Sequence, residues 1–268
     1  RNGKRISVGD TKVRFSIQSI SKIITLAVAL EICGFDQVFK KVGMEPTGDP
    51  FNSLMKLENT DSSPYNPMIN AGAIVVASCL ASEISFDTML DTIRALCMDP
   101  DINLDKKVYH SEMSHISRNR AIAYLLESKG YIENNKDVEN SLHFYVKMCS
   151  LSVTAESLAG LGLILANDGI HPDTGKRLLS SQAVKIVKTL MFTCGMYDGS
   201  GEFAVRVGIP SKSGVGGGIL SVVDGEMGIG IFGPALDKKG NSVAGECVLE
   251  YMSHELHLHM FDPQRHTL

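Results

Sequence analysis

Residues 19–33 read Ser-Ile-Ser-Lys-Ile-Ile-Thr-Leu-Ala-Val-Ala-Leu-Glu-Ile-Cys, with no charge between Lys22 and Glu31. A helix that is apolar on nearly every side has to be enclosed by the rest of the chain. The run therefore predicts a central helix buried on most faces, closed by Gly34 as its stop. Ser19 and Lys22 stand three apart at its polar start, a spacing that puts both on one helical face. A desolvated or hydrogen-bonded lysine amine has an adjustable proton affinity, which is what a serine hydroxyl needs from a base. The ordinary alternative is a polar helix start with Ser19 as its cap.

The remaining elements follow from periodicity. Helices are expected over about 36–42, 70–82, 86–98, 118–128, 137–150, 154–167, 181–192 and 243–259, with 107–117 mixed. The Ala159-Gly160-Leu161-Gly162 steps predict close packing of that helix. Residues 5–8 and 13–17 look extended, as do the short, β-branched, glycine-punctuated runs at 203–207, 218–223 and 227–232. Asn2-Gly3 at the very start and the polar 59–66 stretch read as turns. Strand signals at both ends around a helical middle predict an α+β fold: an antiparallel β-sheet flanked by helices, with an inserted all-helical lobe. One domain over 1–268 is expected, with a sheet part from about 1–35 and 180–268 and a helical part from about 36–179. A hairpin turn with no strand before it implies that an N-terminal strand is missing from the sequence given.

Composition excludes several classes of function. A net charge of −4, no Trp and no long basic run argue against a nucleic-acid partner. The longest apolar stretches, 23–32 and 158–166, are too short to span a bilayer, and the polar residues 1–9 do not read as a signal peptide. Cys33, Cys79, Cys97, Cys149, Cys194 and Cys247 show no C-x-x-C spacing, and most lie in apolar helical runs. Reduced, buried thiols and a cytoplasmic setting are the expectation. His254-Glu255-Leu256-His257 spaces its histidines by three rather than four, so a solvated helix face is expected there and no metal. The Gly216-Gly217-Gly218 run lacks the strand-turn-helix setting of a phosphate loop.

A second chemical signal lies far downstream. Lys212-Ser213-Gly214 sits between strand-like runs and leads into Val215-Gly216-Gly217-Gly218. A strand of this kind can flank a substrate, because glycine lets it lie against the backbone and present N–H groups to an oxyanion. With Ser-x-x-Lys on a helix, the pair points to a serine–lysine acyl-transfer enzyme.

Longer blocks narrow this reading. Gln18-Ser19-Ile20-Ser21-Lys22, Glu45-Pro46-Thr47-Gly48, Phe51-Asn52-Ser53, Asn66-Pro67-Met68-Ile69-Asn70-Ala71-Gly72-Ala73, Cys194-Gly195-Met196-Tyr197 and Pro210-Ser211-Lys212-Ser213-Gly214-Val215 closely resemble the serine-dependent glutaminases. Ser111-Glu112, Arg118-Asn119, Cys149-Ser150 and Gly240-Asn241-Ser242 extend the resemblance over most of the chain. It implies hydrolysis of L-glutamine without a cofactor, a fold shared with serine β-lactamases and penicillin-binding proteins, and a homo-oligomer, either dimer or tetramer. By the same resemblance Ser19 would be the nucleophile, Lys22 its proton partner and Tyr197 a proton carrier. Asn70, Glu112, Asn119, Tyr145 and Tyr197 would line the substrate site, and Val215 would offer an oxyanion N–H. The family's N-terminal tyrosine has no counterpart in the sequence given. Two alternatives stay open at this point: another serine acyl hydrolase on the same scaffold, and a non-catalytic glutamine-binding protein.

Overall fold

The computed structural model describes residues 4–47 and 63–265, with the side chains of Asn135 and Lys136 set aside. In chain order the elements are β1 (Phe15–Ser16), α1 (Ser21–Ile32), α2 (Phe35–Lys41), α3 (Asn70–Ala81), α4 (Phe86–Leu96), β2 (Asn103–Leu104), α5 (Lys106–Ser114) and α6 (Ser117–Ser128). They continue with α7 (Asn135–Cys149), β3 (Leu151–Val153), α8 (Ala155–Ala166), α9 (Ser181–Cys194), α10 (Ser200–Arg206), β4 (Ser211–Ser213), β5 (Gly218–Val223), β6 (Met227–Phe232) and α11 (Val243–Glu255).

Helix α1 is enclosed as its sequence requires: every residue from Ser21 to Leu30 is buried, against α3, α7 and α9. Each fully buried Ile, Leu or Val side chain contributes about 1.5–3 kcal/mol. Its C-terminal end is tied to the start of α9, where Glu31 accepts from the backbone N–H and hydroxyl of Ser180 at 2.7 and 2.6 Å.

Strands β4, β5 and β6 form an antiparallel sheet in sequence order. Alternation along β5 divides the core in two. Leu220 and Val222 face the large helical core with α8, whereas Ile219 and Val223 join Phe203, Val207 and Leu249 on the other side. The predicted close packing of α8 is present. The Cβ that Gly162 lacks would lie 2.8 Å from the Gly228 Cα, and a Cβ on Gly228 would overlap the backbone of Ala159 and Leu163.

Three expectations need correction. Residues 203–206 are helical, not extended: they fall in α10, with Val207 as its C-terminal cap, and Phe203 and Val207 are buried four apart while Val205 is 79% exposed. Apolar residues at 203, 205 and 207 fit a strand period, but only two of them face the core. Residues 5–8 form no strand. Strands also occur in the middle of the chain: β3 pairs with β1 on one side and β2 on the other in a second, antiparallel sheet of order β1-β3-β2. These runs are two or three residues long, too short for a periodic signal. The turn expected at 59–66 lies partly, and that at Asn2-Gly3 wholly, outside the described residues.

Substituting Gly228→Ala should destabilise the protein by about 1–3 kcal/mol or more, since the new methyl group meets helix backbone on α8 rather than a movable side chain. A lowered urea midpoint at unchanged slope is the expected result.

Candidate active site

Ser19 lies ahead of α1 rather than inside it, in a 3₁₀ turn formed by Gln18–Ile20. The turn starts from a fixed strand, because the Ile17 N–H donates to the Leu151 carbonyl of β3 at 2.8 Å. Gln18 then takes a left-handed backbone, φ +48°, unusual for a residue with a side chain. The Ser21 hydroxyl closes the turn by donating to the Gln18 carbonyl at 2.7 Å. Ser19 makes no side-chain cap to the turn or to α1, so the helix-cap reading does not hold. Its hydroxyl is not spent on a helix cap.

Lys22 begins in the first turn of α1 and is 2% exposed. Its amine donates to the Met68 carbonyl at 3.1 Å and to Asn70 Oδ1 at 2.8 Å. Burial lowers its pKa to about 8, with Cys149 acting in the opposite sense. Asn70 is the first residue of α3, and its amide nitrogen donates onward to Asn119 Oδ1 of α6 at 3.1 Å. Asn66 orders the approach to α3, accepting from the Met68 and Ile69 N–H groups at 2.9 and 3.2 Å.

The glycine run after β4 packs onto the segment leading to Ser19. A Cβ on Gly214 would stand 2.8 Å from the Ile17 carbonyl, and one on Gly216 would overlap the Ser16 carbonyl. Only glycine allows this approach, and it brings Val215 to the Ser19 turn. Tyr197 follows α9 in a second 3₁₀ turn with a left-handed backbone, φ +55°. Its buried hydroxyl interacts with the Ser19 side chain and the Val215 backbone. Those contacts favour ionisation, but burial outweighs them and holds the phenol above the ordinary tyrosine range.

Glu112, exposed on α5, accepts from the Gln18 amide at 3.2 Å. Tyr145, on α7, is 7% exposed. Burial drives its pKa well up, reinforced by Cys149, Tyr197 and Glu112. Ser19, Tyr197 and Val215 thus form one group, Lys22, Asn70 and Asn119 a second joined by hydrogen bonds, and Glu112 reaches the residue before Ser19 through Gln18, while Tyr145 senses Tyr197 and Glu112 electrostatically.

Gln18 and Cys149 carried no assigned role in the sequence reading, yet both contact these residues. Gln18 holds Glu112, and Cys149 touches Ser21 at 3.8 Å and bonds with Tyr145. The position of Gln18 beside Ser19 was the one available signal; its left-handed backbone has none in the sequence. Lys212, in the strand that leads to Gly214 and Val215, is wholly buried. A cavity of about 190 Å³ adjoins Tyr197 and is lined by Asn66, Met68, Cys194 and Asp198. A larger one of about 400 Å³, between residues 4–14 and α8, touches none of the linked residues. Among the described residues no cluster of three or more His, Cys, Asp or Glu could hold a metal ion. His254 is exposed at the end of α11 and bonds its neighbour Glu255.

The glutaminase family pattern matches residues 1–261. The chain belongs to the glutaminase family. It is 52% identical to the glutaminase of Fusobacterium nucleatum over 264 residues, covering 97% of this chain and 86% of that protein. The Clostridioides difficile glutaminase is 53% identical over 259 residues, covering 95% of this chain and 83% of the relative. Among solved structures, a Bacillus glutaminase superimposes with a TM-score of 0.92 at 41% identity, over 97% of this chain and 89% of the other. A Bacillus subtilis glutaminase in covalent complex with 5-oxo-L-norleucine, formed from 6-diazo-5-oxo-L-norleucine, gives 0.83 at 38% identity, over 94% and 84% of the two chains. The fold is the α+β, β-lactamase-like fold of these glutaminases.

The Lys22 amine should titrate near pH 8 by heteronuclear NMR of labelled lysine. In Asn70→Ala its pKa should fall further, because the lost acceptor favours the charged amine. An unchanged or higher value would contradict the hydrogen bond's role.

Proposed function

We propose that this glutaminase hydrolyses L-glutamine to L-glutamate and ammonia through a glutamyl ester on Ser19. The observation that carries the reading is the convergence of the Ser19 and Tyr197 hydroxyls with the Val215 backbone, beside a buried amine of pKa about 8. Lys22 is the better candidate for the base. Its pKa of about 8 leaves roughly a tenth of the amine neutral at pH 7, whereas Tyr197 stays protonated there.

Neutral Lys22 takes the Ser19 proton as the oxygen attacks the glutamine side-chain carbonyl. The N–H groups of Ser19 and Val215 hold the oxyanion that forms. Tyr197, already in contact with Ser19, passes a proton to the leaving nitrogen and is reprotonated from Lys22. Ammonia departs, and water attacks the ester with Lys22 again the proton acceptor. Glutamate leaves and the Ser19 hydroxyl is restored. Glu112 faces the substrate ammonium, and Asn70 and Asn119 bond its polar groups. Burying an ammonium and a carboxylate without such partners is costly, which gives selectivity against ligands lacking either.

The same reading includes a cytoplasmic setting, supported by six free cysteines, and assembly as a dimer or tetramer by kinship with the family. Among the described residues no single helix is long and apolar enough to cross a membrane.

Ser19→Ala should lower ammonia release from glutamine by roughly 10³-fold or more at unchanged folding. A parent-like rate would end the proposal. For the parent enzyme, kcat/KM should climb between pH 6 and 8.5 with an apparent pKa near 8, because protonated Lys22 cannot accept the serine proton. A profile flat across that interval would remove Lys22 from the role of base.

A further inference from the structure

Lys212 has no part in the steps above, yet it is fully buried in β4. Its amine donates to the carbonyls of Gly195 at 3.1 Å and of its own neighbour Ser213 at 2.6 Å. The same nitrogen lies 4.5 Å from the centroid of the Tyr197 ring. Two carbonyls and one aromatic face thus surround the amine. Tyr197 lies against the amine, and the titratable groups that act on it electrostatically are Lys22 of α1, Cys149 of α7 and Cys194 of α9; none is a carboxylate. A lysine kept only to fill this space could be replaced by an apolar side chain at lower cost.

The surroundings indicate what the amine holds. Gly195 crosses β4 so closely that a Cβ would overlap the Ser211 carbonyl. The Gly195 carbonyl accepts from both the Ser213 N–H, at 3.1 Å, and Lys212. Two residues later the chain enters the left-handed turn at Tyr197. Gly240 packs against the phenol from another direction, with a Cβ there falling 3.6 Å from the ring.

We propose that Lys212 is a positioning residue for Tyr197. Its amine bridges the Gly195 and Ser213 carbonyls beneath the phenol and fixes the ring so that the hydroxyl remains on Ser19 and Val215. The assignment rests on the proposed glutamine hydrolysis, in which Tyr197 carries a proton.

The test compares Lys212→Met, Tyr197→Phe and the double variant in glutamine hydrolysis. Competent sites are counted by mass spectrometry after complete reaction with 6-diazo-5-oxo-L-norleucine, the reagent that modified the Bacillus subtilis glutaminase. In Lys212→Met, kcat per competent site should fall about 10–100-fold with KM changed less than about threefold, the effect of a displaced catalytic group. The double variant should be no more than about twofold slower than Tyr197→Phe alone, since Lys212 acts through the phenol. A purely structural lysine would lower the number of competent sites and the melting temperature but leave kcat per site at the parent value. That result overturns the proposal, as do losses that multiply in the double variant or a Tyr197→Phe enzyme as fast as the parent. If Lys212→Met does not fold, Lys212→Gln takes its place, and failure of both to fold makes Lys212 structural and overturns the assignment. Ser19→Ala run alongside separates the two ideas: parent-like activity there defeats the reading of the site, whereas parent-like kcat in Lys212→Met defeats only the positioning role.

Discussion

An amine held away from water at the start of α1 is the constraint on which the site depends. Removing a charged amine from water costs several kcal/mol, and hydrogen bonds from a charged donor return about 1.5–3 kcal/mol each. The acceptors of Lys22 include the Met68 carbonyl and Asn70 Oδ1, and neither of these carries a charge. A carboxylate in their place would hold the amine protonated and useless as a base at neutral pH. Burial, opposed in part by Cys149, brings the amine to a pKa of about 8, within reach of both protonation states. That condition explains why α3 begins at Asn70 and why Asn66 shapes the turn before it. The polar end of α3 must meet the polar end of α1.

The fold meets this requirement with backbone approaches that only glycine permits. Gly214 and Gly216 bring the β4–β5 turn onto residues 16–17, and Gly195 brings the end of α9 onto β4. Three segments remote in sequence thus meet at one hydroxyl. The sheet behind them is held to α8 by the same device at Gly162 and Gly228. Rigid backbone contacts suit a site whose parts must keep their spacing to within a fraction of an ångström.

Much of this was legible in the sequence, for definite reasons. Helix α1 was readable because nothing but full burial suits a run without charge, and α3 and α8 because they too are long, apolar runs of small and aliphatic residues. The α10 helix was misread because Phe203, Val205 and Val207 imitate alternation, while burial selects only the first and last. Strands β2 and β3 left no signal, since runs of two and three residues are too short to show alternation. At the site, the residue identities came from the blocks around Ser19, Asn70, Tyr197 and Lys212, and their mutual contacts did not. A Lys-Ser-Gly strand reads naturally as one that flanks a substrate. Only the packing reveals that Lys212 points beneath Tyr197.

Two non-glycine residues in left-handed backbone flank the chemistry, Gln18 immediately before Ser19 and Tyr197 itself. Such conformations cost of order 1–3 kcal/mol and persist where their surroundings over-determine them. At Gln18 the restraints are the Ser21 hydroxyl on its carbonyl and Glu112 on its amide. At Tyr197 they are the Ser200 hydroxyl on its carbonyl, at 2.8 Å, and the Lys212 amine beneath its ring. The two strained turns aim their side chains at each other. A relaxed helical start at Gln18 would continue α1 backward and rotate Ser19 away from Tyr197. Left-handed backbone thus lies on both sides of the contact between the Ser19 and Tyr197 hydroxyls.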